Sequence, residues 1–412
     1  MNAYGEGLPA YRTIRMTVQE GPIAAFADEE AWRARERYPT IVGMGLPVFV
    51  AATESERGGW EILGSAGDTP QSVRDSLGSH FRRLAKEAAE AGRAGDRKKY
   101  RAAYEKLDWV AVDELRVLGT RYRVVRVEQF IRLGPDGPEP PRPSDPDPGE
   151  VGEAHRLPSR IKGFVIDPYI GTGMAEGLLK FDLMQFVLKA GIAPPEVRGD
   201  SLRAVETHPG GVLLPAEFAI AECGGDGEWK PHSGAAPSPQ AARDRLAVDF
   251  RVMTPIQQRL SEAEREEYAR AADRLDEKRG AGIAVAGRRY RVARVEQLVR
   301  IGPDGPEGPR PSDFDPDPPI EAHTRQLREQ GLLDDEDEDV SLELNEEVRE
   351  IKRLMEKEEA RRAAWKLRRQ QRKQAARSSG PDRLTDPDPD PDSAPESDSD
   401  SARDSDTAPG TP

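Results

Sequence analysis

The residues best placed to do chemistry are a row of arginines with one glutamate among them. Arg121, Arg123, Arg126, Glu128 and Arg132 lie close together, and Arg289, Arg291, Arg294, Glu296 and Arg300 repeat them in the same order and spacing. A guanidinium presents donors in a fixed fork, so such a row can grip a carboxylate or phosphate at two points. With Glu128 and Glu296 included, the row can instead neutralise itself as an Arg–Glu network where two surfaces meet. Arg126, Glu128, Arg132, Arg294, Glu296 and Arg300 are therefore candidates for either an anion- or partner-binding groove or a seam between two halves. The built-in counter-charges favour the seam, with Glu128 expected to couple to Arg294.

These residues belong to a longer repeat. Arg121–Asp145 reads RYRVVRVEQFIRLGPDGPEPPRPSD and Arg289–Asp313 reads RYRVARVEQLVRIGPDGPEGPRPSD; the two align without a gap and differ at five of 25 positions. Four of those changes exchange one apolar residue for another, while every charge is kept. A solvated charge contributes little and is free to drift, so retained charges point to a role, although gene conversion between copies would preserve them equally. Upstream, Trp60 aligns with Trp229, Pro70-Gln71 with Pro239-Gln240, and Phe81-Arg82 with Phe250-Arg251. A period this long excludes a solenoid and predicts a duplicated domain.

Each copy must position its charged strand with the same elements. Glu29–Tyr38 reads as a helix stopped by Pro39, and Leu46–Thr53 and Trp60–Leu63 as strands around a polar turn. Thr69-Pro70 and Ser238-Pro239 each supply an N-cap followed by a proline at the first helical position. Val73, Leu77, Phe81, Leu84 and Ala88 follow at helical spacing, and Ser261 with Glu264 forms a capping box. In the charged strand, Val125, Val127, Ile131 and Leu133 alternate against Arg126, Glu128, Phe130 and Arg132. The expected fold is α+β: two tandem copies of one unit, residues 1–150 and 151–330, forming an internal pseudo-dimer. Residues 331–379 read as an acidic hinge and a charged helix, and residues 380–412 as a disordered acidic tail.

Other candidates carry weaker signals. Gly171–Gly177 has glycines before an apolar helix, but GxGxxxG is not the dinucleotide spacing and a linker is the expected role. His208, His232 and Cys223 lack the spacing of metal ligands, and Cys223 is the single cysteine, so an intrachain disulfide is excluded. Lys366–Arg377 is a basic cluster whose single aromatic neighbour, Trp365, makes no stacking platform. No catalytic, cofactor-binding or metal signature names an activity, and neither cofactor nor metal is expected.

Net charge is −14, which argues against a nucleic-acid partner. No apolar run is long enough to span a bilayer and the N-terminal residues lack a signal core, so a cytoplasmic location is expected. The segments RYRVVRVEQFIRLGPDGPEPPRPSDPDP, SLRAVETHPGGVLLP (Ser201–Pro215) and TRQLREQGLL (Thr324–Leu333) resemble a family of uncharacterised actinomycete proteins over residues 10–333. The resemblance implies an actinobacterial cytoplasmic origin and no activity. The expected function is a non-enzymatic binding or scaffold protein with a groove between halves and a protein partner at residues 341–377. The alternative is an enzyme or small-molecule sensor with its site in that cleft.

Overall fold

The computed structural model describes residues 9–332, apart from Gln19 and Arg57, and residues 346–378. Most of the expected hinge and all of the expected tail lie outside the described residues. The chain forms two compact units, Met1–Glu359 and Ala360–Pro412.

The first unit is mixed α+β. It opens with α1 (Pro22–Arg37), β1 (Thr40–Gly43), β2 (Val48–Glu54) and β3 (Trp60–Ile62). Helices α2 (Pro70–Glu90) and α3 (Ala94–Trp109) follow, then β4 (Glu114–Val117), the long β5 (Thr120–Gly134) and β6 (Gly137–Pro138). A second run begins with β7 (Val165–Ile166), α4 (Met174–Met184) and α5 (Pro195–Thr207), then β8 (Gly210–Cys223) and β9 (Trp229–Pro231). Next come α6 (Pro239–Val248), a π-helical turn at Asp249–Met253, α7 (Thr254–Gln257) and α8 (Glu262–Lys278). Strands β10 (Gly282–Val285), β11 (Arg288–Gly302) and β12 (Gly305–Pro306) precede α9 (Ile320–Glu329) and α10 (Glu346–Ser378).

Local chemistry fixes the helix starts. Thr69 accepts a hydrogen bond from the Ser72 amide (3.2 Å) ahead of α2, and Ser238 accepts from Ala241 (3.1 Å) ahead of α6. Ser261 and Glu264 close a reciprocal capping box on α8. Helix α1 starts at Pro22, earlier than Glu29, because proline suits the first turn, and it still ends before Pro39.

All named strands pair antiparallel in one twelve-stranded sheet, whose main path runs β7-β3-β2-β5-β11-β8-β9. Strands β5 and β11 sit side by side at its centre. Their register pairs Gln129 with Gln297, the residue that matches it 168 positions on in the sequence repeat. Helices α2 and α3 cover one end, burying Leu77, Phe81 and Leu107 against Phe49 and Val124. Helices α6 and α8 cover the other, burying Leu246, Phe250 and Tyr268 against Phe218 and Ile220. Each fully buried large side chain contributes about 1.5–3 kcal/mol. Strand β5 is covered on both faces, so its alternation separates two interiors rather than core from solvent: Val125 and Val127 face one apolar cluster, Phe130 another.

Of the second unit, the described part is helical to Ser378 and carries the basic cluster, with Arg369 stacked on Trp365 at 5.4 Å. No helix among the described residues is long and apolar enough to cross a membrane.

Candidate functional site

On β5 and β11 the charged residues Arg123, Arg126, Arg132, Glu296 and Arg300 are buried, Arg121, Glu128, Arg291 and Arg294 are half-buried, and Arg288 and Arg289 are exposed. Glu128 accepts hydrogen bonds from Arg300 Nε (2.8 Å), Arg310 Nη2 (2.9 Å) and Arg126 Nη1 (3.0 Å). Burial pushes its carboxyl up, but Arg300, Arg310 and Arg126 outweigh that and hold it below the usual carboxylate range. Glu296 is held by Arg294, and Arg142 approaches it at 3.4 Å. The expected Glu128–Arg294 pair does not form. Antiparallel register sets Glu128 opposite Leu298, which brings Arg300 to it instead.

The residues that complete this network come from the proline-rich exits, and the exits cross over. Arg126 binds Asp313 (3.0 Å), while Arg294 binds Asp145 (3.2 Å). The Arg126 amide donates to Glu307 O (2.9 Å) and the Arg294 amide to Glu139 O (2.8 Å). Farther along, Asp315 accepts from the Gln71 amide and Arg74 at the start of α2, and Asp147 accepts from the Gln240 amide and Arg243 at the start of α6. The exit after β6 thus docks on β11 and α6, and the exit after β12 on β5 and α2.

Arg132 breaks the reciprocity. Its match, Arg300, donates to Glu128 and to the carbonyls of Met184 (2.8 Å), Leu183 (3.4 Å) and Phe186 (3.2 Å), where the end of α4 turns over it. Arg132 is also buried, at 4% exposure, yet its side chain makes no hydrogen bond or ion pair among the described residues, and its Nε is buried without a partner. Burial pulls its pKa down, against the pull of Glu139 and Glu296.

Arg132 lines a cavity of about 700 Å³ between α1, α4, β8 and the central strands. Two more unsatisfied polar groups share it: the buried Thr172 hydroxyl and the ammonium of Lys180, a residue 4% exposed whose side chain likewise makes no hydrogen bond or ion pair among the described residues. Burial pulls the Lys180 ammonium down, opposed by Glu176 one helical turn away. Burial, then Glu296, pushes the Glu176 carboxyl up. Phe164, Leu179, Val212 and Leu214 supply apolar walls. The Arg35–Asp182 ion pair (2.7 Å) ties α1 to α4, and Asp28 accepts from the Ala175 amide (3.0 Å), capping α4. Part of the Gly171–Gly177 loop borders this cavity, and Asp28 already occupies an amide at the helix start.

Of the other sequence candidates, His232 lies between two carboxylates, Nδ1 at 2.9 Å from Glu222 and Nε2 at 2.7 Å from Asp249. Cys223 is buried with its Sγ 3.0 Å from Arg289 Nη2, and His208 bonds to neighbouring Thr207. No group of three or more His, Cys, Asp or Glu among the described residues is arranged to hold a metal ion.

Thr172 and Glu176 belong to the Gly171–Gly177 segment expected to be a linker, while Lys180 and the exit acids Asp145 and Asp313 stand outside every candidate the sequence offers. A signal existed for Lys180: it interrupts the apolar run GLLKFDLM with a full charge, four residues after Glu176. Nothing local marked the exit acids, whose arginine partners lie 187 and 149 residues away along the chain.

Fold and site together define a mixed α+β protein with a buried Arg–carboxylate network at the centre of one antiparallel sheet and a polar-lined cavity beside it. The chain belongs to a family of unknown function, DUF5954, which matches residues 21–316. No curated protein and no solved structure matches it.

Proposed function

We propose that this protein is a cytoplasmic, non-enzymatic binding protein that holds a small organic anion in the cavity at Arg132 and Lys180. The observation that carries the reading is the contrast at matched positions: Arg300 is satisfied by a carboxylate and three carbonyls, whereas Arg132 faces the cavity with none. A buried guanidinium without a partner is costly, and a bound anion would relieve that cost. Two cations without hydrogen-bond partners and apolar walls suit a carboxylate on an apolar body, and the volume is of metabolite size.

In this reading the chain is an internal pseudo-dimer of two α+β copies, residues 1–150 and 151–330, and the cavity is where the copies differ. The Gln129–Gln297 pairing and the crossed exits support the twofold relation. The charged helix within residues 341–377 recruits a protein partner. A catalytic role for the cavity is the second reading, favoured only by the proximity of Lys180 to Glu176.

Thermal melts of the full chain with acetate, hexanoate and benzoate test the proposal. A ligand at a hundred times its Kd stabilises by about 2.7 kcal/mol. At least one of these anions should raise the melting temperature of the wild type and not of Arg132→Met. Equal shifts in both proteins, or none in either, would reject it.

A further inference from the structure

A second pair of arginines, remote from Arg132 in sequence, has lost the acids that neutralise its match. In the first half, Arg121 and Arg123 lie over the Trp60 ring at 5.2 and 5.0 Å. Glu114 and Asp304 clamp both: Arg121 Nε to Glu114 is 2.9 Å, Arg121 Nη2 to Asp304 is 2.8 Å, and Arg123 Nη2 to Asp304 is 2.6 Å. Glu54 stands 3.8 Å from Arg121. In the second half, Arg289 and Arg291 lie over Trp229 in the same way, at 5.3 and 5.1 Å.

The acids do not follow. Glu114 pairs in register with Arg123, and the residue in register with Arg291 is Gly282. Glu54 faces Trp60, and the residue facing Trp229 is Cys223. Asp136, which matches Asp304 in the repeat, bonds to Arg37 at 3.4 Å. Arg289 donates only to the Cys223 sulfur, and Arg291 to the Pro138 carbonyl at 3.1 Å, so neither has a carboxylate partner among the described residues. Both line a cleft of about 940 Å³ with Arg37, Tyr38, Asp136, Glu228 and Trp229, and neither carboxylate of the cleft pairs with Arg289 or Arg291.

We infer that this cleft binds a phosphate dianion, free or carried on a small ester, between Arg289 and Arg291. The first half shows what the arrangement takes: two carboxylates reaching two guanidinium forks from different elements. One group that replaces both must carry two charges and several acceptor oxygens, which phosphate does. The packed indole holds the forks in place, so little side-chain freedom is lost on binding.

Calorimetric titration of the full chain with inorganic phosphate and with phenyl phosphate, at fixed ionic strength, tests this. Arg291→Gln should weaken phosphate binding by about tenfold or more, as loss of a charged hydrogen bond requires. Arg132→Met should leave phosphate affinity unchanged, which separates this site from the cavity proposed above. Glu114→Gln/Asp304→Asn, which frees the first pair, should add a second equivalent of phosphate. Equal affinity for the two probes would identify the free anion, and tighter phenyl phosphate an ester. Unchanged affinity in Arg291→Gln, succinate binding as tightly as phosphate, or no phosphate binding by the wild type would overturn the inference.

Discussion

Replacing Arg300 and Arg132 separately by methionine applies one substitution to two matched positions with opposite surroundings. Arg300 donates to Glu128 at 2.8 Å and to three carbonyls at the end of α4. Its loss breaks a buried pair, which costs about 3–5 kcal/mol, and strands acceptors at about 1–3 kcal/mol each. Glu128 keeps Arg126 and Arg310, and methionine restores apolar contact, so the net cost is about 4 kcal/mol. Unfolding entropy of about 2.1 cal/mol/K per residue, over a unit ending at Glu359, gives about 0.75 kcal/mol/K. The melting temperature should therefore fall by about 5 °C. Arg132 has no hydrogen bond to lose, and Glu296 keeps Arg294 and Arg142. Removing its unpaired charge should be neutral or stabilise by about 1–2 kcal/mol, a rise of up to about 3 °C. Scanning calorimetry of the three unliganded proteins at neutral pH reads both values. A similar loss in both variants would mean that Arg132 is bound into the fold as Arg300 is, and the cavity reasoning would fail.

Three further outcomes follow from the geometry. A double-mutant cycle on Glu128 and Arg300 should give a coupling of about 1.5–3 kcal/mol, and one on Glu128 and Arg294 a value near zero; the reverse order would contradict the register. Gly137 and Gly305 have φ of 110° and 112°, and a Cβ would strike Trp229 and Trp60 respectively. Alanine at either should cost about 2–3 kcal/mol in urea unfolding, and a neutral result would show that the turns do not press on the indoles. The third concerns His232, whose bond to Asp249, helped by Glu222, raises its pKa against the opposing effect of burial. A raised pKa gives stability that is full below the unfolded value of about 6.5 and is lost as pH rises through the folded value. His232→Gln should thus flatten the fall in melting temperature above about pH 6.5; an unchanged profile would remove the histidine from the account.

Local chemistry was legible in the sequence where a few neighbouring residues decide it. Thr69, Ser238 and the Ser261–Glu264 pair cap their helices because cap and amide lie three residues apart. The strand carrying Arg126 and Glu128 was equally readable, since its composition and flanking turn are local. Which arginine meets Glu128 was not, because that depends on the register between strands separated by more than 150 residues. The cavity was harder still. Arg132 and Arg300 sit in sequences that differ nearby only by apolar exchanges, and the path of the chain after Leu183, which caps one and not the other, distinguishes them. Gly282 in place of Glu114 was visible as a residue difference, but its consequence appears only once strand pairing sets each opposite an arginine.

The proposed anchoring of an organic anion by Arg132, in the cavity beside the central strands, can be observed in a crystal. Crystals of the full chain soaked in 4-bromobenzoate test it most directly, because the bromine locates the ligand by anomalous scattering. A bromine is expected among Leu179, Val212 and Leu214, with the carboxylate within hydrogen-bond distance of Arg132 and Lys180, and no such peak in Arg132→Met. Bromine bound elsewhere with the cavity unoccupied, or bound identically in Arg132→Met, would contradict it.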